Sequence, residues 1–215
     1  MKTHYLVLLS VLFLVSCGQQ SKNKIEASDA KEAARAEGLK LSVNTSASTI
    51  HWTGFKPGGH HVGVLGIKNG ELYVEGTTLK SGTFTLDMNA IICEDLKDTK
   101  SNQQLVGHLK SADFFDVEKY PEGKFTITGV EELSKGTDSL NLKISGNLEL
   151  KETSKNISFD ATIKKDGDNY IATTAPFSID RTHWGVNYGS KNIFKDLKDS
   201  FINDDIEIRL VIIAN

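Results

Sequence analysis

A chain of 215 residues with 39% apolar and 25% charged side chains has the make-up of a folded domain, which excludes a disordered or fibrous protein. The net charge of −3 comes without a concentrated basic stretch, which argues against a phosphate-binding surface and so against nucleic acid as a partner. With only two cysteines, a disulfide framework is not the source of stability.

Lys2 provides a short positive start, Tyr5 to Val15 is an almost unbroken apolar run, and Leu14-Val15-Ser16-Cys17 closes it. The run falls short of the ~20 residues that a bilayer core needs, so residues 1–16 read as a signal peptide. A small residue directly before a cysteine resembles the bacterial lipobox, in which Cys17 would be lipidated and become the mature N-terminus. Removal of 1–16 leaves 24 basic against 28 acidic residues, a net −4. Cys93, beside Ile91 and Ile92, is then the one remaining thiol; it reads as a small buried hydrophobe, with a reactive thiol as the alternative.

Residues 17–40 are rich in Gln, Ser, Lys, Asn, Glu and Ala and nearly lack apolar anchors, which predicts a flexible tether with transient helix around Ala30 to Glu37. Such a tether would hold the remaining domain, 41–215, within about 25 Å of the lipid on average. The expected address is the bacterial cell envelope, lipid-anchored, at the outer membrane facing the periplasm.

From Leu41 onward, period-2 alternation dominates. Ile50 and Trp52 share one face, as do Val62 and Val64, Leu72 and Val74, and then Phe84, Leu86 and Met88. Phe125 and Ile127 follow. Leu140, Leu142, Ile144, Leu148 and Leu150 keep one parity, with Gly146 as the expected bend. Ile157, Phe159, Ala161 and Ile163 lead through the turn Asp166-Gly167-Asp168 to Ile171, Thr173, Ala175, Phe177 and Ile179. Ile206, Ile208, Leu210 and Ile212 form the last apolar face. Eight or nine such strands with hairpin-length connections make an all-β protein, either a sandwich or a closed barrel. The long strands and intervening glycines favour a barrel, which at eight strands has room for its own side chains or for one ligand.

One stretch breaks the alternation. Gln104 to Lys110 has helical phase, with Leu105, Val106 and Leu109 on one patch, and the adjacent Phe114 and Phe115 lead into a turn ended by Pro121. The segment is expected to cap or line the structure built by the strands around it.

Three blocks carry a family resemblance: Val106-Gly107-His108-Leu109-Lys110-Ser111-Ala112-Asp113-Phe114-Phe115-Asp116-Val117-Glu118-Lys119-Tyr120-Pro121, the earlier Gly82-Thr83-Phe84-Thr85-Leu86-Asp87-Met88, and the later Ile179-Asp180-Arg181-Thr182-His183-Trp184-Gly185-Val186-Asn187-Tyr188-Gly189-Ser190. Together they resemble the YceI-like family, over residues 41 to the C-terminus. The resemblance implies a lipocalin-like antiparallel barrel of about eight strands, with the short helix and aromatic turn inserted mid-chain. It also implies an elongated apolar cavity for a polyisoprenoid chain, and binding rather than catalysis. His183 departs from the acidic or other polar residue expected there.

A polyprenyl tail offers no hydrogen bonds, so apolar area must hold it. Phe84, Leu86, Met88, Phe125, Ile127, Leu142, Ile144, Phe159 and Phe177 are the inward candidates, and Phe114, Phe115 and Trp184 the candidates for the mouth. Arg181 either pairs with Asp180 or meets a polar head such as a pyrophosphate or quinone. His60 and His61 would point to opposite faces of a strand, and no histidine spacing supports a metal, so none is expected. No catalytic residue and no cofactor is implied, apart from a bound isoprenoid-like lipid or quinone. Two other readings stay open: an interaction module of an envelope complex with Phe114 and Phe115 exposed, and an enzyme acting on an envelope small molecule. A homodimer is also left open.

Overall fold

Alternation over long runs leaves each strand with one apolar face, and the computed structural model, which describes residues 23–133 and 141–215, closes those faces around one interior. Two short strands, β1 (Ser28–Asp29) and β2 (Leu39–Ser42), precede β3 (Thr49–Lys56), β4 (Gly59–Glu75) and β5 (Thr78–Cys93). A helix, α1 (Thr99–Lys110), leads into β6 (Glu122–Glu132), β7 (Leu142–Leu150), β8 (Thr153–Asp166) and β9 (Asn169–Thr174). Then come β10 (Phe177–Asp180), a 3₁₀ turn over Arg181–Trp184, and β11 (Asp205–Ala214). Strands β3 to β8 pair successively, β8 pairs β9, β9 pairs β11, and β11 returns to β3. The ring is an eight-stranded, closed antiparallel barrel, and Cys17 and Leu140 lie outside the described residues.

Irregularities in register explain where alternation misleads. The ladder between β4 and β5 shifts at Leu65/Gly66 and again at Ile67/Asn69, so the inward parity of β4 changes along its length. Leu65, Ile67 and Leu72 face inward, and the expected Val62 and Val64 pair is on the outer side. A break at Ala175-Pro176 does the same between β9 and β10: Tyr170, Phe177 and Ile179 are buried, while Ile171 is only half-buried. Gly146 sits beside a register shift of the facing strand, between Ile127 and Gly129 of β6. It stays in the ladder opposite Ile127 and Ile157, and a Cβ there would come within 2.2 Å of the Phe125 ring, so its role is to seat that ring. The turn at 167–168 is as expected, with Gly167 at φ +58°.

Residues 23–38 are not a flexible tether, and none of them is helical. β8 pairs β9 only from Ala161 onward, so its first half diverges from β10 and leaves backbone groups unpaired. The N-terminal segment fills that gap. Ser178 donates to the Asn23 carbonyl and accepts from the Ile25 N–H around Lys24, β1 pairs Asn156 and Lys155 of β8, Lys31 bonds the Asn147 side chain through both its N–H and C=O, and Ala34 donates to Ile127. Composition missed this strap because main-chain hydrogen bonds hold it, with only Ile25, Ala27 and Ala34 packing on the core.

The two ends of the barrel differ in construction. At one, strands join through two-residue turns at 76–77 and 167–168. At the other, beside two-residue turns at 57–58 and 151–152, stand the helix-containing segment 94–121 and the long loop 181–204.

Candidate functional site

The barrel encloses an elongated cavity of about 500 Å³, within the usual range for small-molecule sites. Ten of the twelve apolar candidates line it: Phe84, Leu86, Met88, Phe125, Ile127, Ile144, Phe159, Phe177, Phe114 and Phe115. Four of these rings run along the wall as neighbours. Phe84 and Phe125 have centroids 6.3 Å apart, Phe125 and Phe159 5.8 Å, and Phe159 and Phe177 stack at 4.7 Å with planes 3° apart. The opposite wall comes from β3, β4 and β11, through residues such as Trp52, Ile67, Ile206 and Ile208.

Two candidates lie elsewhere. Leu142 is buried beside Ala161 but does not border the cavity. Trp184 is fully buried behind the wall, where its indole N–H donates to the Leu148 carbonyl at 2.8 Å, so it is a structural plug and not a mouth residue.

Local chemistry builds the cap over the mouth. Asp98 accepts from the Ser101 N–H and starts α1, five residues before the expected helical phase, and Ser111 ends it. Leu105 and Leu109 then face the cavity. The chain reverses through Asp116, at φ +52°, and Lys151 Nζ donates to the Phe114 carbonyl at 2.9 Å, tying the turn to the β7–β8 connection. Phe114 is only 3% exposed, and Phe115 is half-buried with its ring 5.1 Å from that of Phe114. Their burial removes the ground for treating them as an exposed contact surface. His108 sits between Phe114 and the outward Tyr188, with ring centroids at 5.7 and 4.5 Å.

Arg181 borders the cavity, yet its guanidinium is committed to the protein. Nε donates to the Asn203 carbonyl (3.1 Å), Nη1 to Val186 (2.5 Å), and Nη2 to Ile202 (3.2 Å) and to Asp204 Oδ1 (3.5 Å). Its face also lies over the Phe114 ring, 5.3 Å from the centroid. Burial pulls its pKa down and the Asp204 and Asp180 carboxylates oppose that. The partner is therefore Asp204, not the adjacent Asp180, and the group organises loop 181–204 over the mouth. Asp180 instead accepts from the N–H and hydroxyl of Thr182 and pairs with Lys24 in the strap.

Ile50 and Trp52 were legible as one face, but Ile67 was missed because register shifts hide the parity of β4, and Tyr188 because a lone tyrosine in a loop carries no periodic signal. The face of β11 was visible as Ile206, Ile208, Leu210 and Ile212, all of which border the cavity.

The YceI-like domain matches residues 41–214. The chain belongs to the YceI-like family. Among its relatives, a UPF0312 protein of Pseudomonas putida strain W619 is 42% identical over 60 residues, covering 28% of this chain and 29% of its own length. Protein YceI of Salmonella arizonae is 32% identical over 96 residues, 41% of this chain and 47% of its own. The chain thus spans less than half the length of these two relatives. The crystal structure of Burkholderia cenocepacia BcnA superposes with a TM-score of 0.62 at 18% identity, covering 80% of this chain and 99% of its own. A polyisoprenoid binding domain from Saccharophagus degradans gives 0.59 at 12% identity, covering 86% and 99%. At these identities the likeness is one of fold, and it fits the YceI-like barrel seen here.

Proposed function

We propose that the barrel binds an isoprenoid-like or other long apolar lipid, and that the protein is a membrane-anchored carrier or sequestering protein of the bacterial envelope. The observation that carries this reading is the elongated cavity, whose wall is apolar along its length and whose cap is built by a separate helix and loop. Each buried CH₂ contributes about 0.8 kcal/mol relative to water, so one five-carbon unit contributes roughly 3–4 kcal/mol before ordering costs. Relative to a bilayer that gain nearly vanishes, so such a protein must work beside its donor membrane. Lipid on Cys17 would keep it there, since the strap begins at Asn23 and six residues reach no more than about 20 Å. The domain from Saccharophagus degradans, described as polyisoprenoid-binding, supports the choice of ligand class, and the family supports binding over catalysis.

The test is mass spectrometry of protein purified from its native envelope without added lipid. A co-purifying long-chain apolar molecule supports the reading; protein that is reproducibly empty and takes up no polyprenol from mixed micelles sinks it. In parallel, Cys17→Ala should release the protein into the soluble fraction.

A further inference from the structure

Three side chains with metal-ligand chemistry converge on the rim of the barrel, and two of them, Cys93 and Asp95, do not border the lipid cavity. His61 lies near the start of β4, Cys93 ends β5, and Asp95 follows two residues later. His61 Nδ1 is 2.9 Å from Asp95 Oδ2, Cys93 Sγ is 3.3 Å from Asp95 Oδ1, and all three donor atoms lie within 4.8 Å of one another. The register fixes them there. Gly63 is opposite Cys93, and Glu94 donates to the Val62 carbonyl at 2.8 Å, which folds the chain back so that Asp95 meets the start of β4. The Val62 N–H holds Asp95 Oδ1 at 2.9 Å, and Asn102 of α1 donates to the carbonyls of Cys93 and Leu96 at 2.9 and 3.0 Å. Backbone and helix thus hold the carboxylate and thiol in place before any ion arrives.

The geometry points to a binding site for a divalent d-block cation, zinc above all, formed by His61 Nδ1, Cys93 Sγ and Asp95. One imidazole, one thiolate and one carboxylate form a borderline-soft set suited to zinc and not to calcium or magnesium, which take oxygen ligands. Zinc bonds of about 2.0–2.3 Å require neighbouring donors roughly 3–4 Å apart in a tetrahedral shell, close to the spacing present. On binding, the Cys93 thiol proton leaves to solvent, the imidazole proton resides on Nε2, and the cation replaces the two hydrogen bonds to Asp95, with no change of oxidation state. Three protein ligands leave a fourth position for water or an external donor. Cys93 is buried and Asp95 is solvent-facing, so the ion has an entry path from outside the barrel. His61 also borders the cavity, and Asp95 lies in the short link from β5 to α1, so a bound ion would pin the cap to the barrel wall.

The test is a cobalt(II) titration of tag-free, reduced, lipid-free protein, read by absorption and displaced with zinc. The expected result is a sulfur-to-cobalt charge-transfer band with intense tetrahedral visible bands, one equivalent bound, and about one proton released. Cys93→Ser should abolish the charge-transfer band, and Cys93→Ser, His61→Ala or Asp95→Asn should each weaken zinc binding by roughly a hundredfold or more. Circular dichroism reports whether each variant is folded, and Cys93→Ser, nearly isosteric, keeps the test valid if His61→Ala unfolds. Absence of the band in folded wild-type protein, or unchanged zinc affinity in folded Cys93→Ser, overturns the site. Lipid loading is not involved, so failure here leaves the lipid reading intact.

Discussion

The two ends of this barrel solve opposite problems with the same strands. At the floor, two-residue turns close the hairpins, and the Tyr170 hydroxyl donates across to the Gly76 carbonyl at 2.8 Å, linking two of them. At the mouth, segments without strand structure span the opening, and polar groups that the ladder cannot satisfy are paired individually, Arg181 above all. Two-residue turns also close hairpins at the mouth, at 57–58 and 151–152, so what sets the mouth apart is the helix segment and the long loop. A mouth held by side-chain hydrogen bonds and packed rings can open locally without disturbing the ring of strands.

Substitutions at the two ends should therefore separate stability from lipid retention. Arg181→Ala should have the largest effect, because it removes the donors to three loop carbonyls and leaves the buried Asp204 carboxylate without its cation, held only by the Asn192 amide; chemical denaturation should show a loss of about 3–5 kcal/mol. Phe114→Ala comes next, at about 3 kcal/mol, and it should also speed lipid release, since its ring is both core and cavity wall. Equal lipid release from Phe114→Ala and wild type would make the aromatic turn a plug and not a lid. At the floor, Tyr170→Phe should cost only about 1 kcal/mol and leave lipid release unchanged.

The smallest effect concerns the strap. Partial burial pushes the Asp180 pKa up, but hydrogen bonds from Thr182 and the Lys24 ammonium outweigh it, so the carboxyl titrates below its usual range. A depressed folded-state pKa contributes stability that is fully present above the unfolded value of about 3.9 and is lost as the pH falls through the folded value. The difference in melting temperature between wild type and Asp180→Asn should thus be present at neutral pH and shrink below about pH 4. A difference that grows on acidification would contradict the pairing.

Much of the fold was legible because strand alternation reports burial directly. Phe84, Leu86 and Met88 kept their parity from sequence to structure, and so did the apolar face of β11. What stayed hidden has local physical causes. Val62 and Val64 share one face as expected, but that this face is the outer one depends on bulges, which are set by pairing with β5 and leave no mark on β4 itself. The strap over 23–38 was read as tether because main-chain bonding to Ser178, Asn156 and Ile127 leaves no compositional trace. Arg181 looked free to meet a head group, since acceptors more than twenty residues away cannot be read from its neighbours. His61, Cys93 and Asp95 have no motif spacing, and only the fold brings them together.

The most direct measurement fills the cavity. Ala172 borders it from β9, and Ala172→Trp would place an indole in the space assigned to lipid at an overpacking cost of about 1–3 kcal/mol. Native mass spectrometry of wild type and Ala172→Trp, expressed side by side, should show lipid adducts on the wild type and their loss from a variant that remains folded. Equal lipid loading of a folded Ala172→Trp protein would contradict the cavity as the binding site.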